Sequence, residues 1–439
     1  MHELNLAPIA VFSVCVVVWG LVSARLERWD VSAPIAFVVL GVVVTHGPTA
    51  VIHFNLHSST IRTLAEFSLA LVLFSDASRV NARALRSDIG LPARLLGVGL
   101  PLTIGAGAAV AAGLFPGAGL WVAAAIAAMV APTDAALGAS IMSDDRVPAG
   151  VRRVLNVESG LNDGIATPFV NLFLAGAATA EAAHTTTSAA GALLDLLGGA
   201  GIGFGIGVVG ALLVGLARKH HWSSPAYGPL SVLALALFSY SAAVLAGANG
   251  FVAVFVGGMA FGTALPHRDD GERDDLMEFS EETGSLMSLS VWFIFGAVML
   301  VPGLQGADWR DLVFALLALT AVRMISVALA LTGSGLDRTT VFFIGWFGPR
   351  GLATVVFGLL AVDLLAPADA AIVLPAVTVT VALSVLLHGV TAAPLAARYG
   401  MYAAKLRPER PEHQASPNLI HPRRLWSIRS PLASRSADR

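Results

Sequence analysis

The sequence predicts an all-α polytopic membrane protein of about thirteen transmembrane helices, built as two inverted six-helix repeats with discontinuous crossing helices. Three observations carry that prediction: an apolar composition, a run of span-length segments with basic residues in alternate loops, and two helix breaks seven spans apart. Of 439 residues, 56% are hydrophobic and 13% charged, a balance outside that of ordinary globular domains. Water-exposed composition is confined to the stretch after about Tyr402. The expected division is therefore a transmembrane unit over 1–402 and a cytoplasmic, disordered tail over 403–439. Cys15 is the only cysteine, which leaves neither a disulfide framework nor a thiolate metal cluster. No basic leader region or small-residue cleavage site precedes Arg25, so the first apolar run reads as a retained span.

Taken in order, the apolar segments cover about 7–22, 34–52, 64–78, 95–114, 120–142, 154–177, 193–216, 230–246, 250–265, 277–301, 312–332, 340–365 and 371–396. Each is near the length that crosses a hydrocarbon layer of about 30 Å, although the third is short and the tenth polar at its start. Loops after odd-numbered segments hold fourteen basic residues, among them Arg25, Arg83, Arg152 and Arg218, whereas loops after even-numbered ones hold only Arg62 and Arg310. Short basic loops are retained in the cytoplasm, which puts the N terminus outside and the basic tail inside a plasma or inner membrane. Units of six spans displaced by seven face opposite ways. That gives repeats over about 7–177 and 230–396, linked by 193–216.

The fifth segment is interrupted at Ala131-Pro132-Thr133-Asp134 and the twelfth at Gly348-Pro349-Arg350-Gly351. Proline removes a backbone N–H and disfavours helix at the residue before it. One such break is an ordinary kink. Two at matching places point to a secondary transporter with its site at mid-membrane, where freed carbonyls can ligate a cation. Glu66 in the third segment has Glu281 and Glu282 near its counterpart in the tenth, a weaker match.

The sixth segment contains Val157-Glu158-Ser159-Gly160-Leu161-Asn162-Asp163-Gly164. An ionised carboxylate at bilayer depth costs about 3 kcal/mol on insertion scales, so its presence is a hypothesis about function. On a helix, Glu158, Ser159, Asn162 and Asp163 lie on neighbouring strips of one face. A buried carboxylate resists ionisation and can exchange a proton for a cation near neutral pH. Asp163 is the best candidate for that role, with neutral oxygens from Ser159 and Asn162 and backbone oxygens from the Pro132 break. Oxygen-only ligands suit alkali or hard divalent ions, with no histidine or cysteine for a transition metal. Asp134 is placed to join the site or to cap the half-helix after its own break, and Glu66 either gates or completes the site or is solvated near the outer end of its span. Glu158 needs a counter-charge, and the only arginines within spans are Arg323 and Arg350. Pairing with Arg323 is expected, with Arg350 offsetting the carbonyl ends of the broken twelfth segment, and the reverse assignment is left open. His388 reads as a structural histidine bridging helices. No phosphate-cradling GxxxxGK[ST] run is present, which argues against an ATP-driven pump, and nothing points to nucleic acid or an organic cofactor.

Together, Pro132-Thr133-Asp134, Glu158 to Gly164, Asn249-Gly250-Phe251, Gly348 to Gly351 and Leu387-His388-Gly389-Val390-Thr391 resemble the sodium/proton exchanger family of monovalent cation:proton antiporters, in its NhaP-like branch. The likeness covers about residues 7–400. It implies a lipid-embedded homodimer in which a six-helix core carries the ion against a dimerisation panel in elevator fashion. Carried over, Asp163 would be the shared proton and cation carboxylate, Asp134, Thr133 and Ser159 would complete the site, and Glu66 would match an acidic ligand of some prokaryotic members. Asn162, in place of a second aspartate, is associated with electroneutral one-for-one exchange, and the Glu158 to Arg323 bridge is also a family feature. Pro349 departs from the usual pattern before the arginine. The expected activity is transport, not enzymatic catalysis: sodium/proton antiport, with potassium/proton antiport as the alternative. A cation channel or sensor shares the ion site. An intramembrane aspartyl protease using Asp134 and Asp163 would leave Asn162 and the second break without a role.

Overall fold

In a bilayer a long apolar run has no water to satisfy its backbone, so helices that bond internally are the element it can form, and the regular elements described are all helical. The computed structural model describes residues 6–26, 31–46, 58–79, 90–134, 144–181, 189–224, 226–265, 270–407 and 409–413, with residues 29, 50, 137 and 139–142. The helices are α1 (Ala7–Leu26), α2 (Ala33–Thr45), α3 (Ser59–Arg79), α4 (Gly90–Leu114), α5 (Leu120–Val130), α6 (Ala139–Met142), α7 (Ala149–Glu181) and α8 (Ala189–Lys219). They continue as α9 (Tyr227–Leu245), α10 (Gly250–Ala264), α11 (Asp270–Ile294, extended through a π turn to Gly306), α12 (Trp309–Ala330), α13 (Arg338–Trp346), α14 (Leu352–Leu364) and α15 (Pro367–Ala403).

Seven of these, α1, α4, α8, α9, α11 with its extension, α12 and α15, are long and apolar enough to cross a membrane. Helices α2, α5, α10 and α14 are shorter apolar ones. Long α3 and α7 fall outside both groups because polar side chains interrupt them. These are Arg62, Glu66, Asp76 and Arg79 in one, and Arg152, Arg153, Glu158, Asn162 and Asp163 in the other.

The helices pack mostly in two groups. Helices α2, α3, α8, α9, α10 and α11 pack on one another, as do α4, α5, α7, α12, α13, α14 and α15. Within the first group, Gly199, Gly203 and Gly207 form a stripe on α8 that lets the α10 backbone come close. A Cβ at Gly203 would stand 2.0 Å from the Ala253 carbonyl oxygen, so no other residue fits there. The groups meet where the α11 extension packs on α15 and where α3, α8, α10 and α11 touch α7 or α14.

Among the described residues, three π turns interrupt the spans, at Leu95–Gly99, Phe295–Leu300 and Ala318–Val322. A π turn shifts the helical ladder and releases carbonyls, and such turns often sit at functional positions. Here side chains take them up: Thr103 donates to Gly99 at 2.8 Å, Thr45 to Ala297 at 3.2 Å and Arg350 to Ala318 at 3.2 Å.

The tail departs from its expectation at its start. Chain beyond α15 turns back, and the 3-10 turn Pro411–His413 packs against α7 with Glu412 only 1% exposed. The described chain thus continues past residue 403, where a buried carboxylate and its hydrogen bonds hold the segment 409–413. The rest of the tail, from 414, lies outside the described residues.

Candidate ion-binding site

Both broken spans stop where the sequence puts proline. Helix α5 ends at Val130 and the chain is non-helical through Asp134, while α13 ends at Trp346 and α14 resumes at Leu352. The two breaks are joined directly: the Asp134 N–H donates to the Pro349 carbonyl at 2.7 Å, and the Leu352 N–H donates to Asp134 Oδ2 at 3.2 Å. A carboxylate at a helix N terminus satisfies an orphan donor and meets the positive end of the macrodipole. Asp134 thus caps α14, in the other break, where the sequence suggested its own half-helix. Gly351 makes this possible, since a Cβ there would lie 2.0 Å from Asp134 Oδ2.

Arg350 makes the reciprocal contact. Its guanidinium is fully buried, and Nη1 donates to the carbonyls of Ala131 and, at 3.1 Å, Pro132, while Nη2 donates to Ala318 at 3.2 Å. It neutralises the carbonyl end of α5, not that of the twelfth segment as the sequence suggested. The reason is geometric: the crossing brings the negative end of one half-helix over the other break. Each break therefore supplies the charged group that the other requires.

Helix α7 crosses beside them. Glu158 and Arg323 form an ion pair of 2.5 Å with both side chains almost wholly enclosed, at 3% and 2% exposure. Arg323 follows the π turn at Ala318–Val322, so one distorted stretch positions a carbonyl for Arg350 and a guanidinium for Glu158. On the same face of α7, the Ser159 hydroxyl lies 3.1 Å from that of Thr133, and Asn162 Nδ2 donates to Thr133 Oγ1 at 2.6 Å. Thr133 thereby ties the first break to α7. Asn162 Oδ1 is buried without a hydrogen-bond partner, an oxygen open to a cation. Asp163 is 8% exposed, and its own carbonyl accepts a bond from Thr167 at 2.8 Å.

A family model for the transmembrane sodium/hydrogen exchanger matches residues 9–398. The chain belongs to that family. It is 26% identical over 54% of its length to a probable Na+/H+ antiporter of Schizosaccharomyces pombe, of which it covers 32%. It is 25% identical over 81% of its length to the K+/H+ antiporter NhaP of Alkalimonas amylolytica, of which it covers 60%. Against a sodium, potassium, lithium and rubidium/H+ antiporter of Bacillus subtilis, the figures are 24%, 69% and 44%. The chain thus spans from 32% to 60% of the length of these relatives. In fold it is similar to the sodium proton antiporter MjNhaP1 from Methanocaldococcus jannaschii, with TM-score 0.73 over 89% of this chain and 98% of that one, at 21% identity.

Of two further residues singled out by the sequence, Glu66 bonds away from the crossing and His388 bonds at its edge. Glu66 accepts from Arg62 Nε at 2.8 Å and from the Tyr240 hydroxyl at 3.0 Å, and its suggested counterpart Glu281 pairs with Arg79. Sequence reasoning missed Tyr240, for which no local pattern exists. His388 Nε2 lies 2.9 Å from the Trp346 carbonyl at the end of α13, and its Nδ1 lies 2.8 Å from the Ser384 carbonyl. The Ser384 hydroxyl accepts from the Arg350 N–H at 2.7 Å. Ser384, also missed, fastens the second break to α15.

Proposed function

We propose that this membrane protein is a secondary antiporter that exchanges a monovalent cation for a proton, with sodium as the first candidate. The observation that carries the reading is the gathering of Thr133, Ser159 and Asn162 beside Asp163, where two broken helices cross. These are hard oxygen donors next to one carboxylate, the chemistry an alkali ion needs in place of its water shell. Asp163 would hold either the proton or the cation, and Asp134, Thr133, Ser159 and Asn162 would bind or orient the cation. Glu66 would join only in a conformation that releases it from Arg62 and Tyr240.

Coupling follows from competition at one carboxylate. Empty and ionised, Asp163 would carry a negative charge through the low-dielectric layer, so that crossing is strongly disfavoured. Filled with a proton or with a cation it carries no net charge, and only these forms cross. With Asn162 at the neighbouring position, one cation for one proton is the expected stoichiometry. Excess protons displace the cation at low pH and protons are lacking for the return step at high pH, so exchange peaks between. The separation of helices into two packed groups supports an elevator movement of the α4, α5, α7 and α12–α15 group. A homodimer, an external N terminus and a cytoplasmic tail complete the proposal.

Proton movement in proteoliposomes with an imposed pH gradient tests it, on addition of sodium and then potassium. Saturable dissipation by sodium, insensitive to membrane potential and lost in Asp163→Asn, is the expected result. A response to potassium alone would keep the mechanism and change the cargo, as the potassium/proton antiporters among the relatives make reasonable. Non-saturating flux would mean a channel, and saturable exchange surviving in Asp163→Asn would remove the central assignment.

A further inference from the structure

The chain after α15 is polar and reads as solvated, yet it ends its described course with a carboxylate sealed inside the protein. Glu412 Oε1 accepts from the Asp337 N–H at 2.7 Å and from the Thr340 hydroxyl at 3.0 Å. Thr340 Oγ1 also lies 3.1 Å from the Tyr399 hydroxyl. A carboxylate can only accept, so Thr340 gives its proton to Glu412 and Tyr399 gives its own to Thr340. Around this core, Tyr402 donates to Asp337 Oδ1 at 2.8 Å, Arg410 donates to the Gly335 carbonyl at 3.1 Å, and the Tyr399 ring stacks on Phe343 at 4.1 Å.

These contacts converge on the first turn of α13. Asp337 caps that helix through the Thr339 N–H at 2.8 Å, and Glu412 adds a second carboxylate at the same positive helix end. Helix α13 has nine residues, a length that does not hold itself in register without tertiary contacts. Its far end runs into the break at 347–351, where Pro349 and Leu352 bond Asp134. The 411–413 turn rests at the same time on α7, the helix that carries Asp163.

We infer that Glu412 is a positioning residue for ion binding: by fixing the N terminus of α13 against α7 and α15, it sets the register of the second break and hence the placing of Asp134. The segment 409–413 is on this account a working part of the transport unit. The inference rests on the antiporter reading for its functional consequence, whereas the contact itself can be measured without transport.

The test uses full-length Glu412→Ala, Glu412→Gln, Thr340→Val and the Glu412→Ala/Thr340→Val double variant, each read twice. Hydrogen exchange over 335–346 reports the contact, and the KM and maximal rate of sodium exchange, per folded protein, report its consequence. Glu412→Ala is expected to speed exchange of the Asp337 amide and to raise KM about fivefold, within the range of couplings carried through packed networks. The maximal rate should stay within about twofold. Glu412→Gln keeps the accepting oxygen and should restore most of the wild-type KM. The double variant should raise KM by much less than the product of the two single effects, since both remove the Thr340 to Glu412 bond and only Thr340→Val also removes the bond from Tyr399. Faster amide exchange with an unchanged KM would overturn the positioning role, leaving Glu412 as a local anchor. Unchanged amide exchange would overturn the contact as well. A wild-type protein that exchanges no sodium or potassium would instead count against the antiporter reading, and amide exchange would still judge the contact.

Discussion

The two sides of the helix crossing hold their charges differently. On the cationic side, Arg350 is fully buried and donates from Nη1 and Nη2 to three carbonyls, while Arg323 faces Glu158 in a pair that is almost wholly enclosed. On the carboxylate side, Asp134 is half-buried, Asp163 is 8% exposed, and between them lie hydroxyl and amide groups that bond one another. A charge committed to fixed partners holds the shape of a site. A carboxylate flanked by neutral oxygens can exchange what it holds.

Removing a partner on the committed side should cost folding before it costs transport. Glu158→Ala leaves Arg323 buried without its counter-ion and is expected to lose about 3–5 kcal/mol of stability. Thermal unfolding in detergent checks this, and a stable, inactive Glu158→Ala would move Glu158 to the exchanging side. On the other side, Asp134→Asn keeps an oxygen to accept from Leu352 and should fold normally. With the negative charge gone, KM for the cation should rise about tenfold, equivalent to about 1.4 kcal/mol. An unchanged KM would make Asp134 a cap only.

A second ion pair marks the limit of the comparison, with the same chemistry partly open to water. Asp144 and Arg146 meet at 2.7 Å in the loop before α7, where Arg146 is 59% and Asp144 12% exposed. The Arg146 hydrogen bond holds the Asp144 carboxyl below its ordinary value of 3.8. A depressed folded value means that any stabilisation is present above the unfolded value and fades as pH falls through the folded one. Asp144→Asn should leave the unfolding temperature at pH 7 unchanged within error, as exposed pairs contribute little. A loss comparable to that of Glu158→Ala would end the distinction between committed and solvated pairs.

Much of the crossing could be read from sequence, because charges and prolines are conspicuous in apolar spans. Asp134, Glu158, Asp163, Arg323 and Arg350 stand out for that reason alone. Which break each charge serves could not be read, since Arg350 and the carbonyls of Ala131 and Pro132 are more than two hundred residues apart and meet only through the crossing. Tyr240 and Ser384 are ordinary helix residues whose roles come from what packs against them. The docking of Glu412 was hidden for the opposite reason: polar composition reads as solvated chain, and one buried carboxylate among charged neighbours leaves no mark on an average.

The exchange of charges between the breaks also bears on how the protein is made. When the fifth segment enters the bilayer, the Ala131 and Pro132 carbonyls lack the guanidinium that will satisfy them, and Asp134 lacks the helix end it will cap. Both arrive with the twelfth segment, late in synthesis. Until then the first half of the chain is an unfinished membrane protein, with polar backbone that lipid cannot satisfy. A nascent chain stopped before Arg350 should be recognised as defective by cellular quality control, because the partners of both breaks come together only once the twelfth segment is made.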